Sequence, residues 1–322
     1  MNHVPTVGAV AALGLLLLAF VRRNDHLKHA GLEVLFVIAV LTLPVYVSGV
    51  AAARELRNSP EIAAEAVAVH QDAALVAFTV MEFAGFVAWM ALWQWRRRGR
   101  AGRGTVSAAT ALLVVSLVMM GGAATVGGEI RHPEIRAAGA PAQGAVDGAA
   151  AASDPNRFMA AAISDVAVNS PWVWPAAEAV HFLGLALSFG VLLAVNLRIL
   201  GVMKQVPFAD VHRLLPWGML GFGANLITGM FFFVGQPGQY VASSPFYWKV
   251  AFLMIAGANF LYLTVFGKAW PADGVRGGDV AGRAGVVFEA GLADKAMAIV
   301  SLTSWLGVLY AGRMLPFLGS AF

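Results

Sequence analysis

The chain has 322 residues, of which 59% are hydrophobic and 12% charged, and its mean hydropathy of +0.72 is well above that of a water-soluble domain. A soluble enzyme is excluded first. The net charge of +4 comes from residues bunched between long apolar runs, the pattern of a multi-pass membrane protein and not of a nucleic-acid binder. No cysteine occurs, which removes disulfides, cysteine-ligated zinc, iron–sulfur clusters and covalently attached c-type haem; any metal centre must use His, Met, Lys or carboxylates.

A helix needs about 20 apolar residues to cross a bilayer. Eight stretches qualify, at roughly 4–21, 31–53, 70–95, 105–127, 172–197, 212–235, 246–267 and 293–313, and no alternating strand pattern occurs, so the chain reads as an all-α polytopic membrane protein. The first run has no positive charge before it and Arg22, Arg23 and Lys28 after it, which suits an anchor with an outside N-terminus better than a secretory signal. Fifteen of the 22 Lys and Arg fall in the connections near 22–30, 96–103, 198–213 and 268–295. The positive-inside rule assigns that side to the cytoplasm and both termini to the outer, periplasmic side of a bacterial inner membrane.

Residues 137–170, rich in Ala, Gly, Pro and Asp, read as a flexible periplasmic linker between an N-terminal four-helix bundle (1–136) and a C-terminal one (171–322). Helix starts are signalled at Ser59-Pro60-Glu61 and Ser170-Pro171, where a capping residue precedes proline at the first helical position.

The seven histidines carry the chemical signal. His26, His29 and His212 fall at cytoplasmic ends, whereas His3, His70, His132 and His181 fall at or near the outer side. His70 and His132 sit where the third helix enters and the fourth leaves. His181 lies about 13 Å along the fifth helix from Trp172, at a depth where an imidazole needs a partner or a ligand. A haem b iron takes axial ligands from facing helices, an apolar slot and cations near its propionates. His181, His70 and His132 are the candidate iron ligands; Lys249, Arg131 and Arg313 are the candidates for the propionates, with Arg54 and Arg57 at the same level. Phe182, Leu185, Phe189, Met230, Phe231, Phe232 and Phe233 would line the slot. The competing reading of each histidine is a hydrogen bond across the bundle, and of the Phe/Met stripe an ordinary core.

Two Glu-x-x-His pairs, Glu129/His132 and Glu178/His181, match half of a di-metal carboxylate pattern, but Glu65 and Glu82 lie at different heights. Glu82, near the centre of the third helix, and Glu178 are proton-path candidates. Asn225 and Asn259 suit interhelical hydrogen bonds. The glycines 218, 221, 223 and 229 make the sixth helix a close-packing face, open to a porphyrin or to another helix.

The segments from Pro44-Val45-Tyr46-Val47-Ser48-Gly49 through Val69-His70-Gln71-Asp72 to Gly128-Glu129-Ile130-Arg131-His132-Pro133 resemble an uncharacterised four-helix bacterial membrane domain often found with cytochromes. Glu178-Ala179-Val180-His181-Phe182-Leu183-Gly184, Asn196-Leu197-Arg198 and Pro245-Phe246-Tyr247-Trp248-Lys249 resemble four-helix proteins near the copper-resistance-D and membrane protoporphyrinogen-oxidase families. In the oxidase family a helix-borne His and a Lys opening a later helix form the functional pair, associated with haem b. His181 and Lys249 match them. The resemblance implies haem binding more than any particular reaction.

The resulting expectation is a b-type haem protein passing electrons between the quinone pool and a periplasmic or membrane redox partner, with a quinone as a further candidate ligand. The alternatives are a cofactor-free accessory subunit of a larger respiratory or photosynthetic complex, and a proton, ion or copper transporter.

Overall fold

A computed structural model describes residues 3–56, 64–131, 155–261 and 290–318. Every element among them is a helix: α1 (His3–Arg22), α2 (Asp25–Leu56), α3 (Ala64–Arg98), α4 (Arg103–Arg131), α5 (Pro155–Asn169), α6 (Val173–Leu200), α7 (Phe208–Arg213), α8 (Leu215–Gly235), α9 (Pro237–Ala242), α10 (Ser244–Leu261) and α11 (Leu292–Leu318). Seven of the described helices are long and apolar enough to cross a membrane, and the protein is an all-α polytopic membrane protein. The expected span at 246–267 begins in α10, and its last residues lie outside the described ones.

The helices overrun the apolar stretches because capping groups, not hydropathy, set their ends. α2 begins at Asp25 since the Asn24 side chain accepts the backbone N–H of His26 (2.9 Å) and Leu27 (3.2 Å), as an N-cap should. α6 ends at Gly201, whose φ of +87° lets Val202 N–H turn back to the Leu197 carbonyl at 3.0 Å. Ser170-Pro171 starts no helix directly: Pro171 and Trp172 form a turn, and α6 begins at Val173. Within the expected linker, Pro155–Asn169 is helical. Proline at its first position and a run of alanines favour that.

The chain divides into two compact units. The first contains Met1–Leu92, Ala101–Trp174 and Met230–Gln236; the second contains Trp93–Arg100, Pro175–Gly229 and Pro237–Phe322. Lipid supplies no hydrophobic drive between helices, so close packing and interhelical hydrogen bonds must hold each unit. In the first, a Cβ on Gly31 of α2 would lie 2.9 Å from Leu16 of α1, and Ser116 of α4 donates to the Ala77 carbonyl of α3 at 3.2 Å. Ser164 of α5 donates to the Gly235 carbonyl at 2.9 Å, and Trp174 packs on Phe232 at 4.8 Å. In the second, α6 and α8 touch backbone to backbone: a Cβ on Gly221 would stand 2.6 Å from the Gly184 carbonyl oxygen and 2.7 Å from Ser188 N. Large apolar side chains cover the exterior, among them Val21, Val118, Leu183, Leu220 and Tyr310, as a lipid-facing surface requires.

Candidate functional site

His181 is half-buried on α6, and its Nδ1 lies 2.7 Å from the Thr228 hydroxyl of α8. That hydroxyl lies 2.7 Å from the Ala224 carbonyl oxygen one turn back. The carbonyl can only accept and the hydroxyl has one hydrogen, so Thr228 donates to Ala224 and accepts from His181. The imidazole proton is thereby fixed on Nδ1 and the acceptor lone pair on Nε2. The next residue, Gly229, lies beside the ring: a Cβ there would stand 3.8 Å from His181 Cε1, an ordinary contact.

Lys249, in the second turn of α10, lies within electrostatic range of His181. Its Nζ would stand 3.8 Å from a Cβ on Gly312 of α11. Thus His181 and Lys249, far apart in sequence, meet inside one unit. Arg313 is exposed on α11 and Glu178 exposed on α6. Glu178 stands close to Tyr240 of α9: burial, with this carboxylate adding to it, pushes the Tyr240 phenol up to about 12.

In the first unit, half-buried His70 of α3 has its Nδ1 2.9 Å from the Ala123 carbonyl oxygen of α4. A carbonyl only accepts, so here too the proton is on Nδ1 and the lone pair on Nε2. Gly127 allows this approach. A Cβ there would lie 2.9 Å from the ring Cε1 and 3.1 Å from Nδ1. Glu82, on the same helix, lies 3.1 Å from the Thr42 hydroxyl of α2, which also sits against the Ala39 carbonyl. Arg131 closes α4, and His132 lies outside the described residues.

The expected slot residues divide. Phe182 is 64% exposed, Phe232 packs on Trp174, and Phe233 lies 5.8 Å from Tyr46 and 6.5 Å from Phe78 within the first unit. The contacts of Gly184 with Gly221 and of Gly218 with Val191 decide what the glycine face of α8 receives, namely a neighbouring helix.

The donor chemistry fits a haem iron held by one histidine in the second unit. A ring whose Nδ1–H is held by a hydrogen bond is oriented to offer its Nε2 lone pair. The unit's other histidine, His212, belongs to α7 beyond the far end of α6, about 28 Å along that helix from His181. Among the described residues no group of three or more His, Cys, Asp or Glu is arranged to hold a metal ion directly. Composition and spacing did not single out Thr228 or Gly127, although a lone hydroxyl in the apolar stretch of α8 and paired glycines in α4 are visible once the histidines need partners. Compared with protein families, with curated proteins and with solved structures, the chain matches none of them.

Proposed function

We propose that the protein is a b-type haem protein of the bacterial inner membrane, with both termini periplasmic, passing electrons between the quinone pool and a periplasmic or membrane partner. The observation that carries this reading is the His181–Thr228–Ala224 chain, which orients a half-buried imidazole with its lone pair on Nε2. A bound haem would supply one-electron redox chemistry. His181 would ligate its iron through Nε2, while Thr228 holds the ring plane and the tautomer. Lys249, in electrostatic range of His181, would face a propionate, with Arg313 as a second cation. His70, oriented by Ala123 in the same manner, would ligate a second haem in the first unit, with His132 and Arg131 as further candidates from the sequence.

The test is a dithionite-reduced minus oxidised visible spectrum of the detergent-purified full chain from haem-sufficient cells, with a pyridine-haemochrome count. The expected result is a b-type α band that His181→Ala removes in part, the remainder disappearing with His70→Ala. A flat spectrum and no haem would overturn the proposal and leave a structural or transport role for both histidines.

A further inference from the structure

The second unit contains a line of buried amides that its own side chains do not satisfy. Asn196 of α6, 0% exposed, donates to the Leu192 carbonyl (2.8 Å) and to Ser301 of α11 (3.2 Å). Asn225 of α8 donates to Ser188 (3.3 Å), and Asn259 of α10, 4% exposed, donates to the Met297 carbonyl of α11 (2.7 Å). In each case the amide oxygen is buried and has no hydrogen-bond partner among the described residues, and the same holds for the indole N–H of Trp305 on α11. The carbonyl acceptors fix the amide orientations at 196 and 259, so turning the amides over does not remove the orphans.

These groups share one axis. Met297, Ser301, Trp305, Val308 and Gly312 recur at three- and four-residue steps and form one stripe of α11. The stripe meets Asn259 at Met297, Asn196 at Ser301, Phe222 of α8 at Trp305 (6.2 Å between rings) and Lys249 at Gly312. From Met297 to Gly312 it runs about 22 Å at 1.5 Å per residue, against a hydrocarbon core of about 30 Å. At the Gly312 end lie Lys249 and the His181–Thr228 pair; toward the other end lie Asn225 with Ser188, then Asn196 with Ser301, then Asn259.

An orphaned amide oxygen in a membrane bundle is costly, and internal water is the usual remedy. A cation would suit the three amide oxygens but would be repelled by the Trp305 N–H. Water alone satisfies both kinds of orphan, since it donates to the oxygens and accepts from the indole. We propose that the second unit encloses a file of waters held by Asn259, Asn196, Asn225, Ser301 and Trp305, and that this file conducts protons between the Asn259 end and the His181–Lys249 level. Each water in such a file takes a proton from one neighbour and releases another to the next, so charge crosses without a carboxylate in the path. The proposal is independent of the haem reading.

Two measurements on the full chain test it. The first is radiolytic hydroxyl-radical labelling in nanodiscs, in which radicals arise from water beside a side chain. Trp305 (5% exposed) and Trp89 of the first unit (4% exposed) are equally shielded from bulk solvent, so Trp305 should be labelled well above Trp89. The second is proton uptake into proteoliposomes, driven by a potassium–valinomycin potential and read with a pH dye. Uptake should exceed that of protein-free vesicles, fall roughly tenfold or more in Asn196→Leu, and persist in Asn196→Ser, which keeps a hydroxyl at that level. If Asn196→Leu is not monodisperse, Asn225→Leu takes its place. Labelling of Trp305 no higher than Trp89, uptake equal to empty vesicles, or uptake indifferent to both Leu variants would each overturn the proposal.

Discussion

The two units differ in how completely they satisfy their buried polar side chains. In the first, hydroxyls bond to carbonyls: Thr110 to Val106 at 2.9 Å, Thr79 to Leu75 at 2.8 Å and Ser116 to Ala77 at 3.2 Å. The buried side-chain polar atoms without a partner, on Trp93, Asn196, Asn225, Ser243, Asn259 and Trp305, all belong to the second unit among the described residues. A hydroxyl folds back on its own helix at little cost, whereas an asparagine that donates across the bundle leaves its oxygen over. Among the described residues the first unit has its buried polar side chains satisfied; the second keeps unmet polar capacity along an axis that has His181 and Lys249 at one end.

The largest effect should come from prying open the seam that closes one side of that axis. Gly221→Val places side-chain atoms against main chain that cannot move alone, the Gly184 carbonyl at 2.6 Å and Ser188 N at 2.7 Å from the new Cβ. A cost of about 3 kcal/mol is expected from overpacking, seen as a lower melting temperature in detergent. Gly190→Ala, on the same α6 but with nothing within 4 Å of the new Cβ, should be neutral or stabilising by up to about 1 kcal/mol from helix propensity. Equal losses in the two variants would refute the close seam.

Next in size is the hydroxyl that orients His181. Thr228→Val keeps the shape and removes the acceptor, which should cost about 1–3 kcal/mol for the stranded Nδ1–H. It should also redistribute the ring tautomers, read from 15N histidine spectra. Thr228→Ser should restore both. If Val and Thr give the same spectrum, Thr228 does not set the tautomer.

The contrast between the units sharpens further in a paired deletion. Ser116→Ala, in the satisfied unit, should cost about 0.6 kcal/mol, the usual worth of an interhelical hydrogen bond in a membrane. Asn196→Leu combined with Ser301→Ala removes both partners of a bond that already leaves an oxygen unmet, so stability should stay level or rise. Chemical denaturation in mixed micelles would distinguish the two, and a large loss in the double variant would mean that the Asn196 oxygen has a protein partner after all.

Much of this fold was legible in the apolar runs, since a membrane helix must satisfy its backbone within its own segment and its length is set by the bilayer. α5 was not, because it is short, follows a long stretch rich in Ala and Gly, and makes its contact with Gly235, far off in sequence. At the candidate site, residue type and depth marked His181, His70 and Lys249. Their partners were illegible for a physical reason: the Ala123 carbonyl has no side-chain signature, and Thr228 becomes an acceptor only because Ala224 takes its hydrogen. Glu82 and Glu178 stood out as charges, yet Glu82 lies against Thr42 and Glu178 acts on Tyr240. The unmet oxygens belong to neutral asparagines, whose paired and unpaired ends look alike in a sequence.

The smallest change in stability should accompany a clear change at His70. Gly127→Ala gains about 1 kcal/mol of helix propensity and loses a hydrogen bond worth about the same, because the new Cβ at 2.9 Å from Cε1 must push the ring off the Ala123 carbonyl. The two terms nearly cancel, so the melting temperature should hardly move. The 15N spectrum of His70 should move, because without a carbonyl to hold the hydrogen on Nδ1 both tautomers become populated. The His181 signal, held by Thr228 in the other unit, should stay where it is. A shift at His181 as large as that at His70 would mean that the rings are not set locally, and the contrast between carbonyl-held and hydroxyl-held histidines would then fail.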